Sequence, residues 1–256
     1  EVVPSGRRFD ETESDIVEAS ESGTRVDFDF HSPVDAVPGA SELGVSLFPG
    51  ALSQAVSGLD TILKMPSGCF EQTSSATYPN VMVLRYMQET ETITPEIEMM
   101  AREYISQGYQ RLLTYEVSGG GFEWFGDPPA NRVLTAYGLM EFVDMSRVHP
   151  VDPNVISRTA HWLERQQNSD GSWSPDPAGI AEGATDNFQN NVFRTTAYVT
   201  WALAEAGLED AAVEQGLAYL ASHRLEALDS YSRAIALEAF IAAEPKERAE
   251  VFLVGP

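Results

Sequence analysis

The sequence predicts a mainly α fold, an α/α toroid of helical hairpins preceded by β segments, and three observations predict it. Helical periodicity runs from Leu52 almost to the end of the chain. The segments Leu134-Thr-Ala-Tyr-Gly-Leu-Met-Glu-Phe and Thr195-Thr-Ala-Tyr-Val-Thr-Trp-Ala-Leu resemble each other, and Tyr231-Ser-Arg-Ala-Ile-Ala-Leu-Glu-Ala-Phe echoes both. Repeats on the scale of a helix pair indicate stacked hairpins. These helices are also alanine-rich and apolar almost all round, which points to burial on two sides, as in the inner ring of a closed helical barrel.

Residues 1–48 carry the β segments. Thr24-Arg-Val-Asp-Phe-Asp-Phe-His-Ser alternates polar and apolar residues through Val26, Phe28 and Phe30, the period of a half-buried strand. The turn-rich HSPVDAVPGAS separates it from a second β-like run, Leu43-Gly-Val-Ser-Leu-Phe, and Pro49-Gly50 punctuates the change. Residues 49–256 then read as the toroid. Leu52, Val56, Leu59 and Leu63 share one helical face, and further helices are expected over about 71–89, 95–116, 131–146, 153–168, 192–206, 209–223 and 229–243. Pro95 and Asp152-Pro153 open two of these, and Gly207 ends another. The interhelical loops repeat as well, in Gly119-Gly-Gly-Phe-Glu-Trp-Phe-Gly and Asp170-Gly-Ser-Trp.

Composition narrows the function. With 256 residues and 43% hydrophobic content the chain is long and apolar enough to bury a sizeable core. The 39 acidic side chains outnumber the 16 basic ones, for a net charge of −23. Such a balance disfavours nucleic acid, which needs a basic stripe, and adhesion to an anionic bilayer. No stretch approaches the ~20 apolar residues of a membrane span, so direct membrane insertion is not expected. The opening EVVPSGRRFDETESD carries no signal peptide and reads as that of a processed or excised fragment. A single cysteine excludes an internal disulfide framework and a cysteine-rich zinc site. His31, His149, His161 and His223 lack metal-ligand spacing, so neither a metal nor a cofactor is expected. Lysine is scarce, with only Lys64 and Lys246; this fits genome composition or an acidic surface, or a domain that keeps amines away from its own electrophile.

The most informative stretch is Met65-Pro-Ser-Gly-Cys-Phe-Glu-Gln-Thr-Ser-Ser. Cys69 precedes Gln72 by three residues, a spacing that brings two side chains together in a first helical turn. A thiolate there is placed to attack the Gln72 amide carbonyl, expel ammonia and leave an internal thioester. Held geometry accelerates such a step, with effective molarities that reach ~10⁵ M or more. Gly68 permits a sharp turn beside the cysteine, and a helix N-terminus favours the thiolate. The bland alternative, that Cys69 is a small inert hydrophobe, is the usual fate of a free cysteine. Glu71 likewise fits a solvated charge stabilised by the helix dipole. Phe70, Tyr78, Met82, Trp124 and Phe125 are candidates to shield a reactive acyl group from water, although aromatics in such numbers also make ordinary core.

PSGCFEQTSS resembles the thioester motif of the alpha-2-macroglobulin and complement family, particularly its bacterial members. The resemblance extends from GASELGVSLFPGALSQAVSGLDTILKMP through Gly108-Tyr-Gln-Arg-Leu-Leu, Gly121-Phe-Glu-Trp-Phe-Gly, Trp162-Leu-Glu-Arg-Gln-Gln-Asn-Ser-Asp-Gly-Ser-Trp and Thr196-Ala-Tyr-Val, about residues 35 to 245. It implies a thioester α/α toroid beside a CUB-like β-sandwich, with Cys69 as the thioester sulfur, Gln72 as the acyl donor and Glu71 as part of the motif. The implied activity is single-turnover acyl transfer by a protease inhibitor rather than an enzyme. Its partners would be proteases or other proteins bearing surface amines, and the neighbouring domains of a parent protein that is exported to the periplasm, the cell surface or the medium. Family members that prefer hydroxyl targets carry a histidine in the loop after the Asp-Gly-aromatic element; here none occurs between Asp170 and Ala197, with Ala178 to Ala181 near that place, so lysine amines are the expected targets. Two other readings compete. One is a toroid without a thioester that serves as a binding module. The other is a terpene-cyclase-like toroid, because Gln167-Asn-Ser-Asp170-Gly-Ser-Trp173 is similar to that family's structural repeat, although the protonating aspartate cluster is missing.

Overall fold

The computed structural model describes residues 7, 9–16, 24–45, 47, 62–176, 191–207, 211–224 and 229–243. The chain divides into two compact units, Glu1–Pro49 and Gly50–Pro256.

In the first unit the expected β segments are not shown: the described residues contain no strand. Turns close where Ala36 N–H meets the Pro33 carbonyl at 3.0 Å and Ala40 N–H the Val37 carbonyl at 3.1 Å. Phe28 and Phe30 lie 6.4 Å apart and both remain exposed. Alternation supplies the period of a strand, but a strand exists only when a neighbour completes its ladder, and among the described residues none does so.

The second unit is helical, with α1 Phe70–Glu89, α2 Pro95–Leu113, α3 Arg132–Met145, α4 Pro153–Glu164, α5 Val192–Glu205, α6 Ala211–Ser222 and α7 Ser230–Ala243. A short hairpin, β1 Glu116–Val117 with β2 Gly121–Phe122, lies between α2 and α3. The expected helix containing Leu52, Val56 and Leu59 falls outside the described residues. Helix starts follow from capping chemistry. Thr94, Asn131, Asp152 and Asn191 each accept a first-turn backbone N–H, and Pro95 and Pro153 occupy the position whose N–H would be unpaired anyway. Gly207, at φ +66°, follows the end of α5.

Helices α1, α3, α5 and α7 pack side by side as an inner row, while α2, α4 and α6 each back the inner helix that precedes them. This is the helical-hairpin wall of an α/α toroid. The sequence echoes have a structural meaning. Phe122 N–H donates to Thr135 Oγ1 at 2.8 Å and Trp173 N–H to Thr196 Oγ1 at 2.9 Å, so each Thr-Ala-Tyr threonine fastens the loop before its helix. Close approach of inner and outer helices repeats too. A Cβ on Gly108 would lie 2.1 Å from Thr77 Oγ1, and one on Gly216 would lie 2.3 Å from Thr200 Oγ1. The Gln167 amide ties α4 to α6, donating to the Gly171 carbonyl at 3.0 Å and the Ala212 carbonyl at 2.8 Å. Trp173 is fully buried and its indole donates to the Leu163 carbonyl at 2.8 Å. One core surrounds Trp173, Phe193, Leu203 and Leu217; a second surrounds Phe70, Leu84, Ile105 and Phe142 and carries the candidate site.

Candidate functional site

The segment leading to α1 is fixed before it reaches Cys69. The Asn80 side chain grips both backbone polar groups of Lys64, accepting from its N–H at 3.0 Å and donating to its carbonyl at 2.8 Å. The chain then turns at Gly68 with φ +85°, a conformation open to glycine. The same glycine makes room: a Cβ there would lie 2.0 Å from Gln72 Oε1. Cys69 is the N-cap of α1, half-buried and with extended backbone angles, and Gln72 is the third helical residue. The exposed Gln72 side chain folds back, its Oε1 accepting from Cys69 N–H at 3.2 Å, while the Cys69 side chain faces the Gln72 backbone N–H. Both side chains thus sit over one turn of backbone.

Three neighbours hold that turn. The Gly68 carbonyl receives a fork from Arg111, Nε at 3.1 Å and Nη2 at 2.7 Å, and a further hydrogen bond from the Tyr115 hydroxyl. Phe70 is fully buried, 5.3 Å from Phe122 and edge-on to Tyr115 at 6.2 Å between ring centres. Its N–H, one of the unpaired donors of the first turn, reaches the Trp124 carbonyl at 2.9 Å. Glu71 Oε2 accepts from the Trp124 indole N–H at 3.2 Å. Trp124 follows directly from the β1–β2 hairpin, so this small sheet delivers it to the site.

The family model described as "A-macroglobulin TED domain" matches residues 45–254. The chain belongs to the alpha-macroglobulin family. Ovostatin of Gallus gallus is 28% identical over 258 aligned residues, which cover 98% of this chain and 17% of ovostatin. The chain therefore corresponds to a fraction of that relative's length.

Within this alpha-macroglobulin domain the expected site residues fall into two groups. Phe70, Glu71, Gln72 and Trp124 gather around Cys69, and Phe125 lies beside them, 64% exposed. Tyr78 and Met82 point elsewhere along α1, roughly 13 Å and 20 Å up the helix from Cys69 at 1.5 Å per residue. Met82 is exposed, whereas Tyr78 donates to Asp144 Oδ2 at 2.6 Å and packs 5.7 Å from Tyr137. His149 packs edge-on to Tyr109 at 5.7 Å, and burial lowers its pKa; His223 stacks on Tyr219 at 4.0 Å. Among the described residues no cluster of His, Cys, Asp and Glu is arranged to hold a metal ion, and no helix is long and apolar enough to cross a membrane. The loop around Ala178–Ala181 lies outside the described residues. The Gln167–Trp173 repeat works as a structural tie, as its resemblance to toroid repeats implied.

Sequence reasoning passed over Arg111, Tyr115 and Glu141. Glu141, on α3, is fully buried among Ser74, Tyr78, Tyr137 and Tyr198, with the Ser74 hydroxyl as its neutral polar neighbour and, among the described residues, no cation paired with it. Burial pushes its pKa up to about 8, with Ser74 offsetting only part. The Tyr137 phenol is raised by burial and then by Glu141 and Glu71, which places it within electrostatic reach of both acids. A lone acid inside Leu139-Met-Glu-Phe-Val was the available signal for Glu141.

Proposed function

We propose that Cys69 and Gln72 form an internal thioester and that this domain is the covalent-capture element of an alpha-macroglobulin-type protease inhibitor. The observation that carries the reading is the Gln72 amide folded onto Cys69 N–H, in space that exists because residue 68 lacks a Cβ. Formation balances simply: the Cys69 thiol and the Gln72 carboxamide give a thioester and ammonia. In capture, an amine attacks the thioester carbonyl, an amide forms, the C–S bond breaks and the amine's proton ends on the Cys69 thiol. Thiolate is a good leaving group, so the step proceeds without a cofactor, once per molecule, and the domain is not a turnover enzyme.

Lysine side chains of an attacking protease are the proposed targets, because the loop from Asp170 to Ala197 contains no histidine to relay the acyl group to hydroxyls. The trap belongs to an exported parent, of bacterial type by its motif, whose neighbouring domains complete the cover over an acyl group that needs protection from water. The test is intact mass with and without methylamine, coupled to titration of the Cys69 thiol. A mass one ammonia below that of the sequence, with a thiol that emerges only after amine treatment, is the expected result. An unmodified Gln72 with a free thiol throughout would refute the reading.

A further inference from the structure

The peptide unit between Gly68 and Cys69 is held at both ends by groups of unequal strength. Its carbonyl is gripped by the Arg111 guanidinium at 3.1 and 2.7 Å and by the Tyr115 hydroxyl. Its N–H points at Gln72 Oε1 across 3.2 Å. That oxygen bears the negative charge in the tetrahedral intermediate of acyl transfer, both when the Cys69 thiolate attacks the Gln72 carboxamide and when an amine attacks the thioester. Backbone N–H groups aimed at such an oxygen are among the strongest contributors to acyl-transfer catalysis.

We propose that Arg111 and Tyr115 are positioning residues for the Cys69–Gln72 reaction, acting through the Gly68–Cys69 peptide to make its N–H an oxyanion donor. This rests on the thioester reading. A cation and a hydroxyl on the carbonyl end draw electron density from the amide nitrogen, and hydrogen bonds linked in series through one peptide strengthen one another. They also keep the peptide from rotating, so the N–H needs no reorganisation as charge develops. Tyr115 is buried, which keeps water from competing for the carbonyl on that side. Arg111 brings a charge-assisted fork that a lysine ammonium does not reproduce.

The magnitude follows from the indirect route. Removal of one oxyanion donor typically lowers rates by ~10²- to 10³-fold. Polarisation changes a hydrogen bond by roughly 10–30%, so loss of the Arg111 grip should slow the reaction roughly two- to eightfold. The whole 256-residue chain is the material for the test, as wild type and as Arg111→Met, Arg111→Lys and Tyr115→Phe. Intact mass first establishes whether ammonia has been lost. The rate of methylamine incorporation is then measured, together with the thioester carbonyl band in the infrared difference spectrum before and after amine cleavage.

Arg111→Met is expected to react two- to eightfold more slowly, with its carbonyl band displaced to higher wavenumber because the oxygen is less strongly bound. Arg111→Lys should fall between it and wild type. Tyr115→Phe, which removes one oxygen atom from an otherwise unchanged ring, should shift in the same direction and serves if Arg111→Met folds poorly. A slower reaction with an unmoved band in both Arg111→Met and Tyr115→Phe would mean that the grip only shapes the turn, and would overturn the inference; so would unchanged rates. Wild-type protein with an unmodified Gln72 would overturn the thioester reading and this inference with it, whereas a thioester insensitive to these substitutions would overturn the inference alone.

Discussion

Replacement of Glu141 by glutamine should raise the stability of the domain at neutral pH, and the gain should grow with pH in a defined window. The carboxyl is fully buried, Ser74 offsets only part of the cost, and its pKa rises from an ordinary 4.5 to about 8 because burial disfavours the charge. A carboxyl with a raised folded pKa holds its proton in the native state where the unfolded chain has released it. Stability is therefore greatest below about pH 4.5 and declines as the pH rises towards 8, after which both states are ionised and the decline stops. Each pH unit in that window is worth ~1.4 kcal/mol, so at pH 7 the loss is on the order of 3 kcal/mol. Glutamine keeps the shape without the titration. The titratable groups that face this position are Tyr78 on α1, Tyr137 on α3 and Tyr198 on α5, and burial keeps all three phenols neutral through the window. Urea unfolding of wild type and Glu141→Gln from pH 5 to 9 provides the assay. The difference between the two should climb by ~1.4 kcal/mol per pH unit up to about 8 and then level off. Parallel curves would refute the reasoning, because they would mean that Glu141 ionises in the folded domain as easily as in the unfolded chain.

Gly68→Ala forces a side chain into φ +85° and brings a Cβ within 2.0 Å of Gln72 Oε1; it should abolish ammonia loss in the intact mass and cost roughly 1–2 kcal/mol from the backbone angle alone. Gly108→Ala crowds Thr77 and should destabilise the domain by roughly 1–3 kcal/mol in urea unfolding, while it leaves the chemistry at Cys69 in place. Asn131→Ala removes the side chain that accepts Leu134 N–H at 2.9 Å and should cost ~1 kcal/mol, read from the same unfolding curves. Cys69→Ser should fold with α1 intact by circular dichroism and incorporate no methylamine, because a serine hydroxyl retains the cap but not the thiolate leaving group.

Helix positions were legible because their ends are written in local chemistry. Thr94-Pro95, Asn131, Asp152-Pro153 and Asn191 satisfy first-turn N–H groups with their own side chains, so the starts needed no knowledge of tertiary structure. Expected ends ran long, to residue 116 against Leu113 and to 168 against Glu164, because Tyr115 turns to the Gly68 carbonyl, Glu116 enters the hairpin and Gln167 ties to the Ala212 carbonyl instead of continuing the helices. The Thr-Ala-Tyr echo was visible, but its reason, a threonine hydroxyl accepting the loop's N–H, is a contact 13 to 23 residues away in sequence. The role of Gly108 was hidden for the same reason, since its small size answers to Thr77 on another helix. Arg111 was hidden differently. An arginine in the last turn of a helix is already accounted for by the dipole, and nothing local announces that it reaches back 43 residues to Gly68.

The motif itself joins the two levels. Ser or Thr at the N-cap with Glu or Gln three residues on forms a capping box, in which each side chain returns to the other's backbone N–H. Cys69-Phe-Glu-Gln72 has this form with sulfur in place of the hydroxyl. Sulfur accepts hydrogen bonds weakly, so the cap stabilises the helix less than serine would, and Arg111, Tyr115, Trp124 and the buried Phe70 supply from tertiary structure what the cap lacks. In return, the pairing that ordinarily serves to start a helix folds the Gln72 carboxamide back over the turn that carries the Cys69 thiol. A helix start already orients these groups at i and i+3, so the proposed acyl-transfer site would add to an ordinary capping box only a sulfur atom, a glycine that leaves space and a firm hold on the preceding carbonyl.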